Sequence, residues 1–168
     1  MSKVKRFFLE VETNKLKFVK INIPSNFKII KEEKRDHNIN KFFYKQIGVD
    51  HYWRDRLVWS DNDWKKYLSN KNLETWIIKT NNQLVGFYEK EFHEKENEVE
   101  LINMGILKEY RGKKLGTALL QHTLNISQVA KHRRVWVHTC SLDHKLALPN
   151  YLSRGFKIFK EEEIDFVA

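Results

Sequence analysis

EVELINMGILKEYRGKKLGTALL, residues 98–120, decides the fold. Its first part, Val99 to Leu107, is apolar and reads as a strand. A basic, glycine-containing turn follows from Glu109 to Lys114, and an amphipathic helix opens near Leu115. Such a helix start presents free N–H groups and a partial positive charge. With Arg111, Lys113 and Lys114 beside the flexible backbone of Gly112 and Gly116, the turn suits a phosphate or pyrophosphate. It is not a P-loop, because three residues separate the two glycines and no Lys-Ser/Thr pair follows. The plain alternative is an ordinary strand-to-helix loop on a lysine-rich surface.

Working outward, Leu73 to Lys79 and Leu84 to Phe92 read as strands around a turn at Thr80–Gln83. From Arg35 to Ile47 the residues Ile39, Phe42, Phe43 and Ile47 fall at helical spacing, and Gly48 closes that helix. An aromatic and basic run follows, and Ser60 or Asp61 is placed to cap a short helix carrying Trp64, Tyr67 and Leu68. At the start of the chain, Val4 to Val11 and Leu16 to Ile23 have strand character and flank a turn at Thr13–Lys15; Pro24-Ser25-Asn26 ends the section. Downstream come a helix from Leu115 to about Ala130, a strand from Arg134 to Cys140, a helix from Leu146 to Arg154 and a strand from Phe156 to Phe159. This order predicts an α/β (α+β) fold, one mixed sheet with helices on both faces, forming a single domain over residues 1–168.

The length suffices for one sizeable core, and 41% hydrophobic with 13% aromatic residues excludes a disordered chain. A net charge of +9 predicts attraction to polyanions, although lysine-rich composition alone produces the same number. The lysines are spread along the chain, which argues against a nucleic-acid stripe. The single cysteine excludes an internal disulfide and a multi-cysteine zinc site. No apolar run reaches signal-peptide or membrane-spanning length, so a cytosolic protein without membrane contact is expected.

Several side chains are candidates for chemistry. Two-residue alternation puts Glu100 on one strand face with Ile102, Met104 and Ile106, where partial desolvation would raise its pKa toward that of a general base. A solvated carboxylate near the strand start is the alternative. Tyr151, between Ala147 and Gly155, is either a core residue with its hydroxyl at the rim or a proton donor. His138 and Cys140 share a strand face with Asp143 and His144 just beyond, but a lone strand cysteine is usually a small buried hydrophobe and metal ligation lacks a second ligand group. His122 lies on the apolar helix face with Leu115, Leu119 and Ile126 as a core histidine.

These residues together resemble the GNAT superfamily of acyl-CoA-dependent N-acyltransferases, in particular a bacterial subgroup of unknown substrate. Arg111-Gly112-Lys113-Lys114-Leu115-Gly116 is similar to the family's Arg/Gln-x-x-Gly-x-Gly/Ala loop, with Lys114 in place of the middle glycine. Ala147, Tyr151, Gly155 and Phe156 match Ala-x-x-x-Tyr-x-x-x-Gly-Phe intact, and Glu100 stands where several members keep a base. The resemblance implies a GNAT fold in which the fourth and fifth strands splay around pantetheine. It implies acetyl-CoA as co-substrate, held by Met104, Gly105, Ile106 and the loop Arg111, Gly112, Lys113, Lys114, Leu115, Gly116 and Thr117. Glu100 would act as base and Tyr151 would protonate the leaving thiolate, with Tyr52, Trp53, Arg56 and His138 as acceptor contacts and no metal. The implied reaction is acetylation of a primary amine on a small molecule or peptide by a monomer or homodimer. A non-catalytic acyl-CoA-binding domain and a basic nucleic-acid-binding module are the rival readings.

Overall fold

The computed structural model describes residues 2–166. Strands β1 (Ser2–Glu12), β2 (Phe27–Lys31), β3 (Leu73–Thr80), β4 (Gln83–His93), β5 (Glu98–Ile106), β6 (Arg134–Cys140) and β7 (Lys157–Phe166) form one mixed sheet in the order β2-β3-β4-β5-β6-β1-β7. The middle of β4, Val85 to Lys90, is buried throughout, because helices cover both faces there. At the edge β7 is largely exposed, as its sequence KIFKEEEIDF requires.

Helices α1 (His37–Gly48) and α2 (Asp61–Leu68) lie on one face, and α3 (Leu115–Val129) and α4 (Ala147–Ser153) on the other. Asp36 caps α1 by accepting from the Asn38 N–H. Ser60 and Asp63 form a reciprocal capping box at the start of α2. Beneath α1, Phe43 and Ile47 pack on Ile77, Phe87 and Leu107, with the Phe43 and Phe87 rings stacked at 4.8 Å. The larger core on the opposite face holds Leu119, Leu120 and Leu124 of α3 with Tyr88, Leu101, Val137, Tyr151 and Phe156. His122 belongs to this layer. Its Nδ1 lies 2.7 Å from the Tyr88 hydroxyl, and burial, with Lys90 adding to it, pushes its pKa down to about 4.

Three sequence expectations are corrected. Leu16 to Ile23 is not a strand: both edges of β1 are taken by β6 and β7, so no N-terminal hairpin forms. That segment instead runs along α3, where Asn125 bonds both the N–H and the carbonyl of Val19. The stretch after Pro24 contains a strand that local reading missed, β2, which pairs with β3. The last strand continues to Phe166 because β1 gives it a partner along its whole length.

Candidate active site

Strand β5 pairs antiparallel with β4 and, through the α3 crossover, parallel with β6. The parallel ladder covers only Glu98–Leu101 against Arg134–Val137. Beyond it β5 continues to Ile106 and β6 to Cys140 without pairing, so the two strands diverge and a wedge opens in the sheet. These are the splayed strands expected as fourth and fifth. On its other side β5 carries a bulge: Lys90 is opposite Leu101 and Glu89 opposite Asn103, leaving Ile102 as the extra residue.

The bulge corrects the alternation read from sequence. Glu100 is not on one face with Met104 and Ile106. It pairs with Glu91 and shares the α1–α2 face with Asn103, which bonds Glu89, whereas Met104 and Ile106 face the α3 core. An inserted residue reverses the side-chain parity that a period of two assumes.

At one end of the wedge is the basic loop. Arg111 is anchored by its Nε to the Ile106 carbonyl at 3.0 Å and by Nη1 to Asp50 at 3.0 Å, while its Nη2 is buried without a partner. Gly112 has φ +83°, and a Cβ there would meet nothing within 4 Å. Gly116 is nearly as open, and the exposed Lys113 and Lys114 flank the helix start. An open glycine-lined helix N-terminus beside an orphaned guanidinium N–H fits the diphosphate of a CoA thioester. Leu115 is in the core, so only its backbone can take part, and Thr117 bonds Asn150 at 3.3 Å. Gly105 lies under α1, where a Cβ would sit 2.6 Å from Ile47.

Lys114 occupies the left-handed region, φ 60° and ψ 22°, at the N-cap of α3. A non-glycine residue there costs about 1 kcal/mol. Lys114→Gly is therefore expected to raise the melting temperature by about 2–4 °C, read by calorimetry. An unchanged or lower value would show that the lysine side chain compensates for the strain.

In the ladder just before the strands part, Glu100 is mostly buried, and its Oε1 lies 3.0 Å from His93 Nε2. Burial raises its pKa, with the His93 hydrogen bond opposing. Tyr151 projects from α4 on the other face, and no described residue hydrogen-bonds its hydroxyl. Burial, and secondarily the Asp143 carboxylate, push its pKa well up, so it is protonated at neutral pH. Asp143, just past β6, accepts from Thr139 Oγ1 at 2.5 Å, from the Cys140 N–H at 3.0 Å and from Trp53 Nε1 at 3.4 Å. The Trp53 contact spans from the α1–α2 loop to the β6–α4 loop, and the rings of His51 and His144 meet beside it at 5.7 Å. Burial and Asp143 also raise the Cys140 pKa, which disfavours a thiolate.

The four candidate acceptor contacts differ in their surroundings. Tyr52 is exposed and packs edge-on against Phe166, Trp53 joins the two loops, and His138 lies on the open face of β6 beside Phe8. Arg56 is turned inward. Its guanidinium is 3.1 Å from Glu89 and sits over the rings of Tyr67, Trp59, Trp64 and Tyr44 at 4.2–5.5 Å. Glu89, missed by the sequence reading, is fully buried and accepts from Asn40, Tyr67 and Asn103 as well. Trp136, also missed, pairs with Glu100 along the ladder and stacks on His93. Nothing local distinguishes these residues, since their partners are distant in sequence.

Comparison with known proteins accords with this geometry. No protein of curated function matches the sequence. Among solved structures, a GCN5-related N-acetyltransferase from Sphaerobacter thermophilus superposes with TM-score 0.74 at 11% identity, covering 94% of this chain and 49% of that one. The chain thus spans about half the length of that protein. An aminoglycoside acetyltransferase from an uncultured soil metagenomic sample gives 0.66 at 14% identity, covering 80% of this chain and 90% of that one. The ribosomal-protein-S18-alanine N-acetyltransferase from Escherichia coli gives 0.60 at 19% identity, covering 77% and 76%. At these identities the likeness is one of fold. The model of the acetyltransferase (GNAT) family matches residues 32–156, from the end of β2 to the start of β7, and the chain belongs to that family.

Proposed function

We propose that the protein is a cytosolic N-acetyltransferase that moves the acetyl group of acetyl-CoA to a primary amine by direct attack in a ternary complex. The wedge between β5 and β6 carries this reading: Glu100 stands on β5 in the last rungs of the ladder before the strands part, and Tyr151 packs on the opposite face of the sheet beside Phe156. Acetyl-CoA supplies an activated thioester. The loop from Arg111 to Thr117 binds its diphosphate through backbone N–H groups and cationic side chains. The N–H groups of Met104 and Ile106, on the edge of β5 that has lost β6, hold the pantetheine and polarise the thioester carbonyl. Glu100 takes a proton from the acceptor ammonium, the free amine attacks, and Tyr151 protonates the departing thiolate. The acceptor is a small-molecule or peptide amine; two structural neighbours, an aminoglycoside acetyltransferase and a ribosomal-protein-S18-alanine N-acetyltransferase, fall in those two classes.

The first test is thermal melting with acetyl-CoA, CoA and ATP. A ligand at about one hundred times its dissociation constant stabilises the native state by about 2.7 kcal/mol, a rise of several degrees here. Acetyl-CoA and CoA should produce it and ATP should not. No shift with any of them removes the donor site and with it the reaction.

Glu100→Gln is then expected to lower kcat/KM about 100-fold in a thiol-release assay with an amine that the wild type acetylates. Because the pKa of Glu100 is raised, its base form is lost as pH falls through that raised value. The variant should lack that limb of the pH profile and keep the acetyl-CoA melting shift. A wild-type profile in the variant would assign the base elsewhere.

A further inference from the structure

Glu91 and Glu100 are directly opposite each other on β4 and β5, where like charges repel. The cations around them are engaged elsewhere, Arg134 with Glu98 and Glu10 and Arg56 with Glu89. His93, two residues along β4 from Glu91, lies on the same face of the sheet. Its Nε2 is 3.0 Å from Glu100 Oε1, and its Nδ1 is 3.9 Å from Glu91 Oε2. One ligand atom from each of the three side chains lies within 4.8 Å of those from the other two. We propose that Glu91, His93 and Glu100 form a site for a divalent transition cation such as zinc, and that an ion there holds the protein inactive by occupying the Glu100 carboxylate; the site stands on this geometry alone, and the inactivation rests on the N-acetyltransferase reading above.

Two carboxylates and an imidazole are a donor set that holds zinc with three protein ligands and leaves the fourth position to water. Zinc bonds of about 2.0–2.2 Å in a tetrahedron set the ligand atoms about 3.3–3.6 Å apart. Rotation of the two glutamate side chains closes the present spacing to that range while the paired strands stay in register. In the ion-free protein the imidazole donates to Glu100. With the ion bound, one ring nitrogen is bare and ligates, and the ring proton sits on the other. Outer contacts already orient the ligands. Asn70 Nδ2 donates to Glu91 Oε2 at 3.2 Å, and the Trp136 ring lies nearly parallel to the imidazole, at 24° and 6.1 Å. The side chains of Glu91, His93 and Glu100 are 28%, 31% and 19% exposed, so an ion enters from solvent into a sheltered site. An ion on Glu100 takes the lone pairs that would accept the acceptor's proton, and its charge repels the incoming ammonium.

The test titrates zinc sulfate into untagged, chelator-treated protein in a calorimeter. The wild type should bind about one ion per chain, and Glu91→Gln and His93→Gln should each weaken binding at least about tenfold. Both variants should keep the wild-type circular dichroism, which shows that they are folded. Acetylated amine is then quantified by mass spectrometry, because zinc also binds the thiol product. Zinc should inhibit the wild type over the range in which it binds in the calorimeter, and EDTA should restore the rate. Each variant, relative to its own zinc-free rate, should need at least about tenfold more zinc for the same loss. No binding by the wild type, or binding that both variants retain, overturns the site. Zinc that binds while the rate stays unchanged overturns the inactivation. If the wild type acetylates no amine, the N-acetyltransferase reading fails, and the calorimetry still decides whether the site is built.

Discussion

Tyr151→Phe is expected to cut turnover about 100-fold or more while leaving the affinity for acetyl-CoA within about twofold. The hydroxyl has no partner among the described residues, so its removal breaks no hydrogen bond and leaves no orphaned group. The ring stays packed against Phe156, with centroids 5.5 Å apart, and α4 keeps its place. What is lost is a donor held in its protonated form by burial and by Asp143. The thiolate must then take its proton from water. Stopped-flow measurement of thiol release, with binding followed separately by calorimetry, separates the two quantities. Unchanged turnover would make Tyr151 a core residue and nothing more.

Arg56→Ala is expected to destabilise the protein by about 3–5 kcal/mol, through the carboxylate it strands. Arg56 and Glu89 have side chains only 10% and 1% exposed, and the pair is wrapped in rings. Removing the cation leaves a buried anion with neutral donors alone. Against a typical stability of about 5–15 kcal/mol this is a large fraction, and the melting temperature should fall by about 6–20 °C. Arg56→Lys should recover only part of the loss, since an ammonium neither stacks between the rings nor forks toward a carboxylate. The double variant Arg56→Met with Glu89→Met should be more stable than either single variant, because it removes both charges from the interior. Urea unfolding of the wild type, Arg56→Met, Glu89→Met and the double variant forms the cycle. Additive losses would show that the two groups are not coupled.

The parts of this molecule that were legible in sequence are those specified locally. Strands β3, β4 and β6 and helix α3 are apolar runs or periods bounded by turn residues, and their limits fell within one or two positions of expectation. The loop from Arg111 to Gly116 and the tyrosine before Gly155-Phe156 are fixed spacings, visible without a fold. What was not legible depends on partners. Leu16 to Ile23 alternates as a strand should, but no sheet edge was left for it. The bulge at Ile102 carries no glycine to announce it, and one inserted residue was enough to assign Glu100 to the wrong set of neighbours. Glu89 draws its ligands from α1, the α1–α2 loop, α2 and β5, so its burial is a property of the assembled domain. Arg56 is an acceptor contact only by resemblance to the family; here the tryptophans hold it against that carboxylate.

The placement of β1 between β6 and β7 bears on how the chain is made. Strand β1 pairs only with strands that begin at Arg134 and Lys157, far later in the chain. During synthesis it must wait, with Val4, Leu9 and Val11 unburied, until β6 and β7 have been made. Closing such distant pairings is slow, and it places a late cooperative event of folding at the pairing of β1 with β6 and β7. The seam β6-β1-β7 is also the wall of the wedge on its β6 side, so a nascent or truncated chain lacking its first strand would leave β6 with no antiparallel neighbour to brace it. Competence to hold a ligand would then arrive late in the life of each molecule, after β1 has met β6 and β7.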